Sequence, residues 1–156
     1  MKLVFASDSF KGSLTSEETA ALLTDAAEAV FGECECVSVP VADGGEGTCE
    51  AVIAACGGEW ITVTVRGPLG EPVPARYALL SDGSAVIEMS AASGLPLVPE
   101  DSRDPRRTST YGTGELIRDA LDHGCSRIAV AIGGSATNDG GLGCIRALGG
   151  RFLDDP

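Results

Sequence analysis

The sequence predicts an α/β fold built around a mainly parallel sheet. Three times, a short apolar run typical of a strand leads into a glycine-rich loop and then into a helical pattern. The composition agrees, because apolar residues make up 44% of the chain and aromatic residues only 4%. We therefore expect a core of Val, Ile, Leu and Ala. In such folds ligands bind at the carboxyl ends of the strands, where these loops lie.

The first unit occupies the start of the chain. An apolar run at residues 3–6 predicts a strand, and a polar loop at 8–14 follows it. Thr15 and Glu18 have the spacing of a capping box, in which each side chain accepts a hydrogen bond from the other residue's backbone N–H. Apolar residues then recur at helical spacing until Gly32, a residue type that commonly ends helices.

The second unit combines a strand at residues 36–41, a loop at 42–47 and a helix at 48–56. Alternating β-branched residues and intervening turns predict further strands at residues 61–65, 73–80 and 85–89. Because these strands follow one another through short turns, we expect them to form a small antiparallel section.

The third unit follows an irregular, proline-containing stretch at residues 94–110 and a helix at about 114–123. The continuous apolar run Ile128–Ile132 predicts a strand buried on both faces. A glycine-rich loop at 133–141 and a short helix at 142–148 complete the unit. Residues 151–153 resemble the start of another strand, so we expect the chain to be truncated relative to a complete protein.

The charge limits the partners of the chain. The formal net charge is −12 and the sequence pI is about 4.3, which disfavours nucleic acid and anionic membrane surfaces. Lys2 and Lys11 are the only lysines. An anionic substrate therefore needs local help from backbone N–H groups, an arginine or a metal ion.

The cysteine pattern and the apolar runs indicate a cytoplasmic protein. Six cysteines contain no C-x-x-C pair and the only histidine is His123, which argues against zinc. We expect six reduced thiols in a reducing compartment. No apolar stretch reaches the ~20 residues that span a bilayer, and the first is too short for a signal peptide.

The three loops share one physical logic. Glycines let the backbone approach a ligand, and the helix that follows offers free N–H groups and the positive end of its dipole, which suits phosphates and carboxylates. In the first loop, Lys11 could neutralise such an anion, or it could be a solvated surface lysine. Ser9, Gly12 and Ser13 surround it in the sequence.

The second loop holds Asp43 and Glu46 around Gly44 and Gly45. Its carboxylates could hold Mg²⁺ through water or accept a proton from an attacking hydroxyl, and Asp-Gly is also a common turn. Glu88 is a further candidate, because a carboxylate at the end of an apolar strand is costly without a partner or a role.

The third loop is the densest polar cluster. Asn and Asp side chains there could ligate a metal, and Ser and Thr could bond phosphate oxygens; a glycine-rich loop with a helix cap is the alternative. The candidates are Gly133, Gly134, Ser135, Thr137, Asn138 and Asp139. The sequence contains no P-loop motif, and its two partial G-x-G-x-x-G matches carry no weight.

Taken in order, five segments resemble the type I glycerate kinases of bacteria. They lie at residues 8–13, 40–48, 87–95, 113–117 and 133–141, and they span nearly the whole chain. The resemblance implies ATP-dependent, Mg²⁺-dependent phosphorylation of D-glycerate. It also implies a three-layer αβα Rossmann-like domain with a second α/β domain inserted and a site in the cleft between them.

The family is well over twice as long, so this chain would cover its N-terminal portion. We expect residues 1–65 to be the Rossmann-like segment and residues 66–156 to start the second domain. The roles of individual side chains are hypotheses from the loop chemistry and are not implied by the resemblance: Lys11 is assigned to an anion, Asp43 or Asp139 to Mg²⁺ or to the attacking hydroxyl, and the other loop residues with Glu88 to phosphate or substrate. The alternative is a non-catalytic α/β module that binds an organic acid or a nucleotide, in which two chains could pair as a homodimer.

Overall fold

The computed structural model describes residues 1–10 and 12–153 and contains two sheets. The strands are β1 (Lys2–Phe5), β2 (Glu35–Ser38), β3 (Gly58–Arg66), β4 (Pro72–Leu80), β5 (Ala85–Glu88) and β6 (Ile128–Ala131). The α-helices are α1 (Ser16–Phe31), α2 (Thr48–Cys56), α3 (Ser90–Ser93), α4 (Tyr111–Asp122) and α5 (Leu142–Ala147). Two short 3₁₀ turns, Leu95–Leu97 and Glu100–Ser102, interrupt the irregular stretch before α4.

The first sheet is a parallel pair formed by β1 and β2, whose register runs from Lys2 opposite Glu35 to Phe5 opposite Ser38. Helix α1 makes the crossover between them, as a parallel connection requires. The predicted capping box is confirmed: the Glu18 N–H donates to Thr15 Oγ1 at 3.1 Å and the Thr15 N–H donates to Glu18 Oε2 at 2.8 Å.

The second sheet has the strand order β3-β4-β5-β6. The β3–β4 and β4–β5 pairs are antiparallel, which confirms the predicted antiparallel section, and β5 pairs with β6 in parallel. The α/β class is therefore confirmed, with parallel pairing at β1–β2 and β5–β6 and a mixed four-stranded sheet. The proposed domain division after residue 65 falls next to the end of β3 and stays a prediction.

The main core lies between this second sheet and α4. Tyr77, Ile87 and Leu116 are fully buried there. The Tyr77 hydroxyl still finds a partner, since it donates to Asp119 Oδ2 at 2.9 Å. A smaller cluster holds α2 against β4 and β5, with Cys49 and Ala78 at its centre.

Two expectations for the end of the chain are wrong. Strand β6 is not buried on both faces: Val130 is 37% exposed, and Ile132 just after the strand is 75% exposed. The reason is that β6 is the edge of the four-stranded sheet in the part of the chain that the structure describes. Residues 151–153 form no strand.

Helix α4 packs closely on α5 because it carries a glycine at the contact. A Cβ added at Gly114 would meet the carbonyl oxygen of Cys144 and lie 2.7 Å from Ala147 Cβ. Contacts of this length would force the backbone of α5 to move. A residue other than glycine at position 114 therefore requires the two helices to rearrange.

We expect Gly114→Ala to destabilise the fold by about 1–3 kcal/mol, because the overpacking outweighs the roughly 1 kcal/mol gained in helix propensity. Urea unfolding followed by circular dichroism measures the change. Asp122→Ala, at an exposed position of the same helix, is the control and should stay within about 0.5 kcal/mol of wild type. Equal stability of the two variants would contradict the packing argument.

Candidate functional site

Three loops follow the carboxyl ends of strands, and we call them loop 1 (residues 6–15, after β1), loop 2 (39–47, after β2) and loop 3 (132–141, after β6). They contain nearly all of the site residues predicted from the sequence. The structure places loops 2 and 3 in direct contact and brings loop 1 beside loop 2.

Loops 2 and 3 meet through their backbones at two glycines. The Gly133 N–H donates to the Gly44 carbonyl oxygen at 2.8 Å. A Cβ added at Gly133 would lie 2.6 Å from Gly45 Cα and 2.8 Å from that same carbonyl oxygen. The contact therefore excludes any side chain at position 133, and it joins the strand ends of the first sheet to those of the second.

Loop 1 is tied to loop 2 at the start of α1. The Ser16 hydroxyl donates to the Ser7 carbonyl at 2.8 Å and lies 3.5 Å from the Val41 carbonyl. Between loop 1 and α2 lies a groove of about 820 Å³. Its lining includes four predicted site residues, Ser9, Gly12, Ser13 and Glu46. Lys11, the predicted anion-binding residue of loop 1, lies outside the described residues.

Asp43 in loop 2 is exposed, and one of its oxygens is engaged in a local turn. Its Oδ1 accepts the Gly45 N–H at 3.0 Å. Glu46 is also exposed and faces the groove. The carboxylate of Asp43 thus retains an accessible oxygen for a ligand, which fits both roles that the sequence suggested.

Glu88 lies at the carboxyl end of β5, under loop 2, and is half-buried. Its Oε1 accepts the Cys49 N–H from the first turn of α2 at 2.8 Å. Burial and the neighbouring negative charge of Glu50 both raise the pKa of Glu88. The hydrogen bond from Cys49 lowers that pKa but does not cancel the rise. The partner that a carboxylate needs at this position is therefore the positive end of α2.

Loop 3 holds its two hydroxyl side chains together. Ser135 Oγ lies 2.8 Å from Thr137 Oγ1 and accepts the Thr137 N–H at 3.0 Å. The Leu95 N–H donates to the Gly134 carbonyl, and the Thr108 hydroxyl donates to the Ala136 carbonyl at 2.8 Å. Asn138 is exposed at the tip. The segments after α3 and before α4 thus fix the shape of this loop.

The contacts of Asp139 correspond to the helix-cap alternative that the sequence left open for loop 3. Its carboxylate accepts the N–H groups of Thr110, Gly141 and Gly143 at 2.9, 3.1 and 3.0 Å, and also the Thr110 hydroxyl. Thr110 directly precedes α4, and Gly141 directly precedes α5. Asp139 therefore satisfies donors at the starts of both helices, which are otherwise unpaired.

The pKa of Asp139 reflects these contacts. Burial acts to raise it, but the hydrogen bonds from Thr110, Gly143 and Gly141 together hold it below its ordinary value. Sequence reasoning missed Thr110 as the partner, although the polar run Thr108-Ser109-Thr110 just before a helix is the signal typical of a cap. A carboxylate engaged in this way fits a structural role better than metal binding or proton transfer.

In the described part of the chain, no three His, Cys, Asp or Glu side chains cluster in a way that could hold a metal ion. Within residues 1–10 and 12–153, no helix combines the length and the apolar character needed to cross a membrane.

The fold and the loops define an α/β protein that brings glycine-rich loops together at strand ends, the position at which proteins of this class bind ligands. Comparison with known sequences identifies the class further, since the profile of the "Glycerate kinase family" matches residues 3–156. The chain belongs to the glycerate kinase family.

Individual relatives agree with the profile. The chain is 54% identical over 156 residues to "Glycerate kinase" of Bacillus subtilis (strain 168) and 52% identical over 155 residues to "Glycerate 2-kinase" of Escherichia coli (strain K12). Each alignment covers 99% of this chain and 41% of the relative. A solved structure described as "Crystal structure of putative glycerate kinase 2 from Salmonella typhimurium LT2" superposes with a TM-score of 0.80 at 50% identity.

That alignment covers 95% of this chain and 40% of the Salmonella chain. The chain therefore spans about two fifths of the length of the relatives it matches. The sequence alignments cover 99% of this chain and therefore span the three loops.

We expect Asp139→Asn to destabilise the fold by about 2–4 kcal/mol at pH 7. In the wild-type protein both carboxylate oxygens accept N–H groups, whereas in the variant an NH₂ group replaces one oxygen and faces those same donors. Unfolding in urea as a function of pH measures it. A carboxyl whose pKa is lowered by folding stabilises the folded state at pH values above its unfolded pKa of about 3.9. That contribution is lost as the pH falls from there through the lowered pKa of the folded state. The difference between the variant and wild type should therefore shrink below about pH 4.

Asn138→Ala, at the exposed neighbouring position, is the control and should change stability by less than about 0.5 kcal/mol. A penalty for Asp139→Asn that is small or independent of pH would contradict the capping role.

Proposed function

We propose that this chain supplies part of the active site of an ATP-dependent kinase that phosphorylates D-glycerate. The single observation that carries the proposal is the contact between Gly133 of loop 3 and Gly44 of loop 2. It gathers two glycine-rich loops that match the family's sequence pattern at one edge of the molecule, beside the groove lined by loop 1. Phosphoryl transfer requires this kind of arrangement, because it depends on positioning and charge neutralisation.

The donors for anionic substrates come from the backbone and from loop 1. With a net charge of −12, the chain as a whole repels phosphates and carboxylates, so local donors must compensate. The N–H groups of loops 2 and 3, the paired hydroxyls of Ser135 and Thr137, and Lys11 are the groups that we assign to this task. The role of Lys11 rests on the sequence alone.

Asp43 is the residue that we assign to Mg²⁺ or to the attacking hydroxyl of glycerate, because its carboxylate is exposed and keeps an oxygen accessible. Bound Mg²⁺ would neutralise charge on the phosphates of ATP. Asp139, the other sequence candidate, has both oxygens engaged by helix donors, so we place it in support of loop 3. Glu88 would position the start of α2 beneath loop 2.

Two further proposals accompany this function. A cytoplasmic location is supported by six free thiols, which suit a reducing compartment. A homodimer is supported by apolar side chains on α1 that are exposed in the described structure, among them Val30 and Phe31.

The test is an ADP-release assay with ATP, Mg²⁺ and D-glycerate, on this 156-residue chain and on a version extended through the full reading frame. Glycerate-dependent ADP release by both would mean that these loops make a sufficient site. Release by the extended version alone would assign this chain a contributing part. Release by neither would overturn the kinase and favour the alternative, a module that binds an organic acid or a nucleotide.

In the version that turns over, we expect Asp43→Asn to lower kcat/KM by about 100-fold or more, the range typical of losing a group that assists proton transfer. Steady-state kinetics measure the change. Glu33→Gln is the control, because Glu33 is an exposed carboxylate in the turn between α1 and β2 and should retain wild-type kinetics. Wild-type kcat/KM in Asp43→Asn would remove Asp43 from the site.

A further inference from the structure

Two thiols lie side by side at the start of β2, away from the three loops. The Sγ atoms of Cys34 and Cys36 are 3.6 Å apart, and both residues are half-buried. They share a side of the chain because residues two apart in an extended segment point the same way. The other four cysteines have no such thiol partner in the described structure, so this pair is the one place where two thiols could act together.

The backbone disfavours a disulfide between these cysteines. Residues two apart in an extended chain have Cα atoms about 6.6 Å apart, close to the upper limit of about 6.8 Å for disulfides. The sulfurs would also have to approach from 3.6 Å to about 2.05 Å. Closing that gap requires the two side chains to leave their present positions, and the backbone of Cys36 is held opposite Leu3 of β1.

A single larger atom bonded to both sulfurs fits without such movement. Two bonds of about 2.3 Å, the length found in metal thiolates, span sulfurs 3.6 Å apart at an angle of about 103° at the bridging atom. That angle suits a tetrahedral or pyramidal centre. A zinc-like ion would need further ligands, and the described residues offer no group of three or more at any place.

We propose that Cys34 and Cys36 form a dithiol site for trivalent organic arsenicals, which need two thiols and no other protein ligand. With an arsenical oxide, both S–H bonds break, two As–S bonds form and the As–O bond is lost. The oxygen leaves as water with the two thiol protons, and arsenic stays trivalent. No oxidant or reductant is consumed.

The state of the thiols agrees with this chemistry. Partial burial, the hydrogen bond with Cys34 and the nearby Glu28 charge raise the pKa of the Cys36 thiol. Cys36 is therefore a weak thiolate nucleophile at neutral pH, so single-thiol alkylation is slow there. The reaction with the oxide consumes neutral thiols and is not disfavoured by that protonation.

The test is a titration of the reduced 156-residue chain with phenylarsine oxide, followed by intact mass spectrometry and by competition with 2,3-dimercaptopropanol. Wild type should take one arsenical per chain, and alkylation in urea, which exposes every free thiol, should leave Cys34 and Cys36 unmodified only when the arsenical is bound. Cys34→Ser should weaken binding by at least about 100-fold, because the second bond is no longer intramolecular. Cys56→Ser, which removes an exposed single thiol, should bind as wild type does.

Binding of the arsenical by Cys34→Ser within about threefold of wild type would overturn the proposal, since the loss expected for a two-point contact is far larger. Failure of wild type to bind, or a bridge mapped to other cysteines, would overturn it as well. The mapping uses wild-type protein, so the outcome does not depend on how any variant folds. Neither result bears on the proposed kinase activity, because the dithiol lies at the opposite end of β2 from loop 2.

Discussion

The backbone contact between Gly133 and Gly44 is the constraint on which the rest of the site depends. Both buried clusters pack against the four-stranded sheet, and this hydrogen bond joins the loop end of that sheet to the loop end of the two-stranded sheet. Because a single methyl group at residue 133 would collide with loop 2, the junction depends on glycine for its closeness. The positions of Asp43, Ser135 and Thr137 relative to one another follow from it.

A second layer of contacts holds that junction in place. Asp139 connects the starts of α4 and α5 to loop 3, and Glu88 connects the end of β5 to the start of α2. In each case a carboxylate satisfies N–H groups at the beginning of a helix, where the dipole favours negative charge. Acidic side chains of a strongly acidic protein thus stabilise a site that we propose binds anions.

The sequence predicted local structure well, because local structure is encoded by neighbouring residues. The capping box at Thr15 and the helix at 48–56 required only spacing and composition. The loops were also recognisable from their glycines. Long-range pairing was not: nothing near Asp139 indicates that Thr110 approaches it, and the apolar run of β6 looks the same whether the strand is central or at an edge. For the same reason the sequence left both a catalytic role and a helix cap open for Asp139.

The exposed edge strand has a consequence for handling the protein. An edge strand presents a row of free N–H and C=O groups on its outer side. In the described structure β6 is such a strand, and it adds exposed apolar side chains at Val130 and, just beyond it, Ile132. Such an edge is a template for another copy's strand, and short apolar segments of this kind promote assembly into extended sheets. The open edge of β6 therefore gives concentrated solutions of the 156-residue chain a route to self-association in addition to the pairing that we propose through α1.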